Sequence, residues 1–165
     1  MKTRLKLITL LILSLCLLAG CGGNKAQVKC LDIVKACRDA TAEDTLNEWY
    51  SYGEELYDDS FDNLYGVRFD MIDDGAVLQT RDGGKADEVS VLHLKKNEDV
   101  SLARTKLEER ISERLNQFAG YKPEEAYKLE NARVIVQGSY VALIASDNAD
   151  NLEAEIRRVI SGAAA

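Results

Sequence analysis

The feature that most constrains the fold is an element order that occurs twice: two strand-like segments followed by an amphipathic helix. The segments are Ala76–Thr80, Glu88–Lys95, Ala132–Gln137 and Tyr140–Ser146, with helices predicted over Glu98–Ala119 and over a last segment that ends at Gly162. Consecutive strands joined by short turns pair antiparallel. The predicted class is therefore α+β: an antiparallel sheet of about four strands from two hairpins, with the helices packed on one face.

Turn and cap residues predict where these elements begin and end. Arg81–Gly84 and Gly138-Ser139 carry the chemistry of hairpin turns. Asn97 is the predicted N-cap of the long helix, and Gly120 its end. Pro123 is expected to open a short helical turn, because proline suits the first helical position. Asp150 with Glu153 predicts a cap for the last helix.

One or two N-terminal helices are expected to precede the sheet. Val28–Arg38 has an apolar stripe formed by Cys30, Ile33, Val34 and Cys37. Thr41–Asp44 resembles a capping box that opens a second helix, with Leu46, Trp49 and Tyr50 on its apolar face. Seven residues along a helix span about 10.5 Å, more than a disulfide can bridge. Two buried free cysteines are therefore favoured, although a broken helix would permit a bridge. Glu54–Asp74 is predicted to form loops and short turns.

The first 21 residues resemble a bacterial lipoprotein signal peptide. Three cations, Lys2, Arg4 and Lys6, precede the apolar segment Leu7–Leu18 and a lipobox-like Leu18-Ala19-Gly20-Cys21. The resemblance implies cleavage before Cys21 and lipid, including palmitate, on its sulfur. The alternative is an uncleaved membrane helix, but such a helix needs about 20 apolar residues. The expected organisation is a signal peptide at 1–20, a lipid-anchored tether at 21–27 and one α+β domain at 28–165.

The charge of the chain restricts its partners. The whole chain carries −7, and loss of the three cations in residues 1–20 leaves −10. A strongly acidic domain argues against nucleic acid as a partner. It also argues against binding to anionic headgroups through the domain surface, since those attract basic segments.

No residue pattern points to catalysis, a cofactor or a metal. His93 is the only histidine, so a zinc site built from Cys and His is nearly excluded. The chain has no Gly-x-Ser-x-Gly motif and no phosphate-binding loop. Its 28 acidic residues offer many carboxylate pairs, but none can be singled out as catalytic, and none has EF-hand spacing. The predicted catalytic, cofactor-binding and metal-binding residues are therefore none.

Aromatic residues are concentrated between positions 49 and 69. The segment contains Trp49, Tyr50, Tyr52, Tyr57, Phe61, Tyr65 and Phe69. In one interpretation the segment wraps the sheet and buries these rings. In the other, Trp49, Tyr52, Tyr57 and Tyr65 form a recognition surface, since exposed Trp and Tyr favour binding sites.

Several short motifs in the second half carry a family resemblance. They are Leu64-Tyr65-Gly66-Val67, Ala86-Asp87-Glu88-Val89, Phe118–Pro123, Asn131-Ala132, Gly138–Leu143 and Ser146-Asp147. As a set they resemble a family of Gram-positive bacterial lipoproteins built on a domain of unknown function. The resemblance implies a place on the outer face of the cytoplasmic membrane and implies no activity. His93 departs from it, because a lysine is expected at that position.

Together these observations favour a non-catalytic, membrane-anchored lipoprotein that binds an envelope protein or a small ligand. The alternative function is a carboxylate-dependent cell-wall hydrolase, which needs two converging carboxylates, one with a raised pKa. A structural spacer at the membrane is the third hypothesis. Of these, the binding module requires an exposed aromatic or apolar patch.

Overall fold

The computed structural model describes residues 27–41, 45–54 and 62–162. Its α-helices are α1 (Cys30–Ala40), α2 (Val100–Tyr121), α3 (Pro123–Glu130) and α4 (Ala149–Ser161), and residues 62–65 are also helical. Its strands are β1 (Glu48–Ser51), β2 (Ile72–Gln79), β3 (Glu88–Leu94), β4 (Arg133–Gln137) and β5 (Tyr140–Ala145). Short 3₁₀ turns lie at Phe69–Met71 and Asn97–Asp99. The predicted signal peptide, Cys21 and Tyr57 lie outside the described residues.

The strands form one five-stranded antiparallel sheet in the order β1-β2-β3-β5-β4. Both predicted hairpins are present, and the α+β class is confirmed. The β4–β5 turn is the expected pair Gly138-Ser139, in which Gly138 has a φ of +60°. That left-handed conformation suits glycine, because a Cβ there is strained.

The fifth strand, β1, replaces the predicted second helix. The capping-box residues 42–44 lie outside the described part of the chain, but residues 48–51 pair with β2. The spacing of the apolar residues at 46, 49 and 50 favours a helix, whereas Trp and Tyr favour strands. Pairing with β2 decides the conformation: Trp49 faces α1, while Tyr50 packs on the opposite side.

Helices cover both faces of the sheet, so the expected one-face arrangement is wrong. On one face of the sheet, which we call the α2 face, α2 and α3 pack over Ile72, Val77, Leu92, Leu94, Val141, Leu143 and Ala145. On the other face, which we call the cysteine face, α1 and α4 pack over Ala76, Leu78, Val89, Val91, Ala142 and Ile144. Every residue of β5 is buried. Because the strand is covered on both sides, its sequence is apolar throughout instead of alternating.

The helix ends differ in detail from the predictions. α2 starts after the 3₁₀ turn at Asn97–Asp99 and continues through Gly120 to Tyr121. Asp150 and Glu153 do not cap α4; they bind Arg133 of β4, while Asn148 occupies the N-cap position. Gly162, with a φ of +69°, ends α4 as expected.

The first helix agrees with its predicted stripe. Cys30, Ile33, Val34 and Cys37 are fully buried on the cysteine face, and both cysteines are free thiols, as favoured from the spacing. Among the helices that the structure describes, none combines the length and apolar character of a membrane span.

Candidate functional site

Trp49 is the member of the predicted recognition surface that the structure places at the surface. Its side chain is 39% exposed on the edge strand β1, and the Arg38 guanidinium lies 5.3 Å from the centroid of its ring. Beside it is an open groove of about 260 Å³ lined by Asn47, Glu48, Trp49, Tyr50 and Arg81. The cation–π contact from α1 holds the indole in place.

The other predicted aromatic residues do not join it. Tyr52 is half-buried and stacks on Phe69 with 4.7 Å between ring centroids. Tyr65 is only 4% exposed and donates a hydrogen bond to Glu88, so it belongs to the core instead of the surface. Tyr52 and Tyr65 therefore pack against other parts of the domain, and Trp49 is the exposed side chain among the described members.

The groove is polar and already paired. Arg81 lies 3.4 Å from a carboxylate oxygen of Glu48. The pKa of Glu48 is below its ordinary value, mainly because of a hydrogen bond with Tyr50, with smaller effects from Gln79 and Arg81. The groove therefore presents a flat aromatic ring next to an ion pair, and these groups are suited to contacts with a binding partner and not to donating a proton in catalysis.

On the α2 face, the fully buried Glu88 is the centre of an ion network. Arg110 binds its carboxylate with two nitrogens at 2.9 and 2.7 Å, and Arg114 binds it at 2.8 Å. The hydroxyls of Tyr65 and Ser90 also donate to it at 2.8 and 2.7 Å. Burial raises the pKa of Glu88, but the charges of Arg110 and Arg114 outweigh burial and hold the pKa at about 2.

A second network surrounds the buried ammonium of Lys128 on α3. Its Nζ lies 2.8 Å from Asp87, 3.0 Å from Glu125 and 3.5 Å from Asp147. Burial lowers the pKa of Lys128, but hydrogen bonds to Asp87 and Glu125 outweigh it, and the net shift is upward. Lys128 is therefore protonated and not nucleophilic.

The buried carboxylates of Glu88 and Glu125 are poor proton donors, because their pKa values are lowered to about 2. Every displaced carboxyl pKa in the described part of the chain is displaced downward: Glu48, Asp70, Asp73, Glu88, Glu125, Glu153 and Glu155. Hydrolysis with two carboxylates requires one acid whose pKa is raised. The ion networks instead join α2 and α3 to the sheet.

Sequence reasoning missed the residues that bind Glu88. The signal was available, because Leu107, Arg110, Arg114 and Phe118 recur at spacings of three and four and share the buried face.

His93 belongs to a cluster of polar side chains that no local sequence motif indicates. Its Nε2 is 2.7 Å from the Ser139 hydroxyl, and its Nδ1 is 3.2 Å from a carboxylate oxygen of Asp73. These are the distances of a Ser-His-Asp triad. Ser139 in the β4–β5 turn is 46 positions from His93 on β3, and Asp73 on β2 is 20 positions from it. Only the fold therefore brings the three residues together.

The side-chain amide of Gln27 contacts both Asp73 and His93 and so affects the role of the histidine ring in this cluster. Its amide nitrogen donates to Asp73 at 2.7 Å and lies 2.7 Å from Nδ1 of His93. Because an amide nitrogen donates and does not accept, Nδ1 of His93 is the acceptor in its contact with Gln27. A nucleophilic Ser139 needs the same nitrogen to donate to the carboxylate of Asp73. We call these four residues the N-terminal clasp, because they bind the chain ahead of α1.

The residues that the structure describes include no group of three His, Cys, Asp or Glu side chains placed to hold a metal ion. The structure thus offers one exposed aromatic groove and three polar clusters that are satisfied internally.

Comparison with known proteins gives one match. No curated protein and no solved structure matches the chain. Residues 48–146 match the family described as "Domain of unknown function (DUF4358)". The match runs from β1 to the residue after β5, so it contains the whole sheet with α2 and α3 and leaves out α1 and α4. The match covers more than half of the sequence, and the chain belongs to the DUF4358 family.

Proposed function

We propose that this chain is a lipoprotein anchored through Cys21 to the outer face of the cytoplasmic membrane, where its domain binds an envelope protein without catalysis. A small envelope ligand is the second candidate occupant of the same surface. The observation that carries the proposal is the exposed Trp49 beside the groove on β1.

Anchoring is supported by the sequence of the first 21 residues. The cationic start, the short apolar segment and the small residues before Cys21 occur in the order of a lipoprotein signal. Two acyl chains on one cysteine supply the two signals that stable anchoring requires.

Binding is supported by the chemistry of the groove. A partly exposed tryptophan is a typical hot-spot residue in protein interfaces. Arg38 restrains its ring, and Glu48 is already paired with Arg81, so little ordering is needed when a partner binds. The carboxylate-dependent hydrolase gains no comparable support, because each displaced carboxyl pKa among the described residues is lowered.

Crosslinking in living cells of the source tests the binding proposal. A photoreactive residue replaces Arg81 in one variant, where the side chain lines the groove and is 73% exposed while Trp49 stays intact. In a control it replaces Leu102, which is 48% exposed on α2, away from the groove. We expect one dominant envelope protein from position 81 and none in common from position 102. The same products from both positions, or none from position 81, would contradict the proposal.

Anchoring is tested separately with Cys21→Ala. We expect an alkyne-tagged fatty acid to label the wild-type chain and not this variant. We also expect the variant to leave the membrane fraction. Equal labelling or equal retention would contradict attachment through Cys21.

A further inference from the structure

The start of the described chain is bound to the sheet by a run of hydrogen bonds. Gln27 binds Asp73 and His93 in the clasp. The carbonyl of the next residue, Val28, accepts a 2.8 Å hydrogen bond from the Tyr140 hydroxyl. The backbone N–H of Cys30 then donates to the buried Asp74 at 2.8 Å. The path of the chain is therefore determined before α1 begins.

These contacts all lie at one end of the sheet, which we call the clasp end. There β2 begins, β3 ends and the β4–β5 turn is found, because the strands are antiparallel. The β2–β3 turn at residues 80–87 lies at the opposite end, which we call the far end. The groove at Trp49 is near the far end, since Glu48 pairs with Gln79, the last residue of β2.

The length of the tether limits how the domain can sit on a membrane. Gln27 follows Cys21 by six positions, and six extended residues span at most about 22 Å. The helix α2 has 22 residues and runs from the clasp end to the far end, a distance of about 33 Å. With the far end on the bilayer, Gln27 would lie beyond the reach of a lipid on Cys21.

We propose that the clasp end faces the lipid headgroups and that the Trp49 groove points away from the bilayer. This inference rests on the proposed anchoring at Cys21 and adds which surface meets the membrane. The tether and the clasp set the orientation, and a basic patch does not. The exposed Lys29 and Lys96 at this end are accompanied by Asp70, Glu98 and Asp99. Contact is therefore expected with neutral as well as anionic lipids.

Energy transfer between labelled protein and labelled vesicles tests the orientation. Lys96→Cys places a donor fluorophore at the clasp end, where the lysine is 68% exposed. Gly83→Cys places it at the far end, where an added Cβ meets no atom within 4 Å. Lipidated protein purified from cells is reconstituted in phosphatidylcholine vesicles that carry an acceptor on the headgroups. The native Cys30 and Cys37 are buried and do not compete for the label.

We expect higher transfer efficiency from position 96 than from position 83, and no change when anionic lipid or salt is added. Equal transfer from both positions, or higher transfer from position 83, would overturn the orientation. A difference that appears only with anionic lipid would overturn the role of the tether.

Two controls separate this inference from its premise. Flotation of the lipidated chain with the vesicles, compared with Cys21→Ala, tests the anchor: failure to float overturns both proposals, whereas flotation with equal transfer overturns the orientation alone. Combining Gln27→Ala with Tyr140→Phe removes side-chain hydrogen bonds of the clasp and of Val28. The difference between the two positions should then shrink. An unchanged difference would show that the clasp does not set the orientation.

Discussion

Both faces of the sheet are buried, but the side chains that bury them differ in chemistry. On β3, Glu88 and Ser90 face α2, whereas Val89 and Val91 face α1 and α4. The α2 face contains a complete ion network, and the cysteine face contains apolar side chains and two thiols. The same strand supports both because successive side chains point to opposite sides.

The difference teaches how each face obtains its stability. Apolar burial on the cysteine face has no direction and tolerates exchange of similar volumes. Buried charges on the α2 face are stable only as a set, because loss of one partner leaves an uncompensated charge. The α2 face should therefore be the more sensitive to single substitutions and to acid.

The largest effect is expected from removing the cover of the cysteine face. A fragment of residues 48–146, the family match, lacks α1 and α4 and exposes Leu78, Val91 and Ile144. A contiguous apolar surface of this kind destabilises a small domain and favours association. We expect no cooperative urea transition by circular dichroism, in contrast to residues 27–165. A fragment that unfolds cooperatively as a monomer would show that the α2 face suffices.

Next in size is Glu88→Ala. Arg110 and Arg114 then lose the buried carboxylate, and we expect a loss of about 3–5 kcal/mol in the free energy of unfolding from urea titrations. Glu98→Ala is the matched control, since Glu98 pairs with Lys96 at 3.5 Å on the surface and should contribute below about 1 kcal/mol. Similar losses in both variants would refute the distinction between buried and exposed pairs.

Acid should weaken the α2 face more than the cysteine face, because the largest downward pKa shifts are those of Glu88 and Glu125. The folded pKa of Glu88 is about 2, below its ordinary value of 4.5. A depressed folded pKa contributes stability that is present above the unfolded pKa and is lost as the pH falls through the folded pKa. We expect Glu88 to account for a loss on the order of 3 kcal/mol between pH 4.5 and 2. Urea titrations at several pH values should show a shallower acid dependence for Glu88→Gln, and an unchanged dependence would contradict this assignment.

The smallest expected effect concerns the two thiols on the cysteine face, which should not react with a thiol reagent in the folded protein. Burial, and then the charge of Glu155, raises the pKa of Cys37 to about 12, and burial also raises that of Cys30. A protonated thiol is a poor nucleophile. Maleimide followed by peptide mapping should leave both unmodified at pH 7 and modify both in urea, whereas a cysteine at position 96 reacts in the folded protein. Prompt labelling of Cys37 would show that α1 opens readily.

Much of the fold could be predicted because its signals are local. The hairpin turns, the long amphipathic helix and the stripe of α1 depend on residues a few positions apart. The strand β1 could not be predicted, because the spacing of Leu46, Trp49 and Tyr50 is that of a helix, and pairing with β2 overrides it. The polar clusters were missed because their members come from separate elements.

By itself, the sequence determined the order of elements from β2 onward, the two hairpins and the free thiols, since periodicity, turn chemistry and helix rise are properties of neighbouring residues. Only the tertiary structure decided which aromatic ring stays exposed and that helices cover both faces. It also decided that His93 binds Gln27 in the clasp. These features depend on contacts between positions tens of residues apart, where burial and hydrogen bonding outweigh local preference.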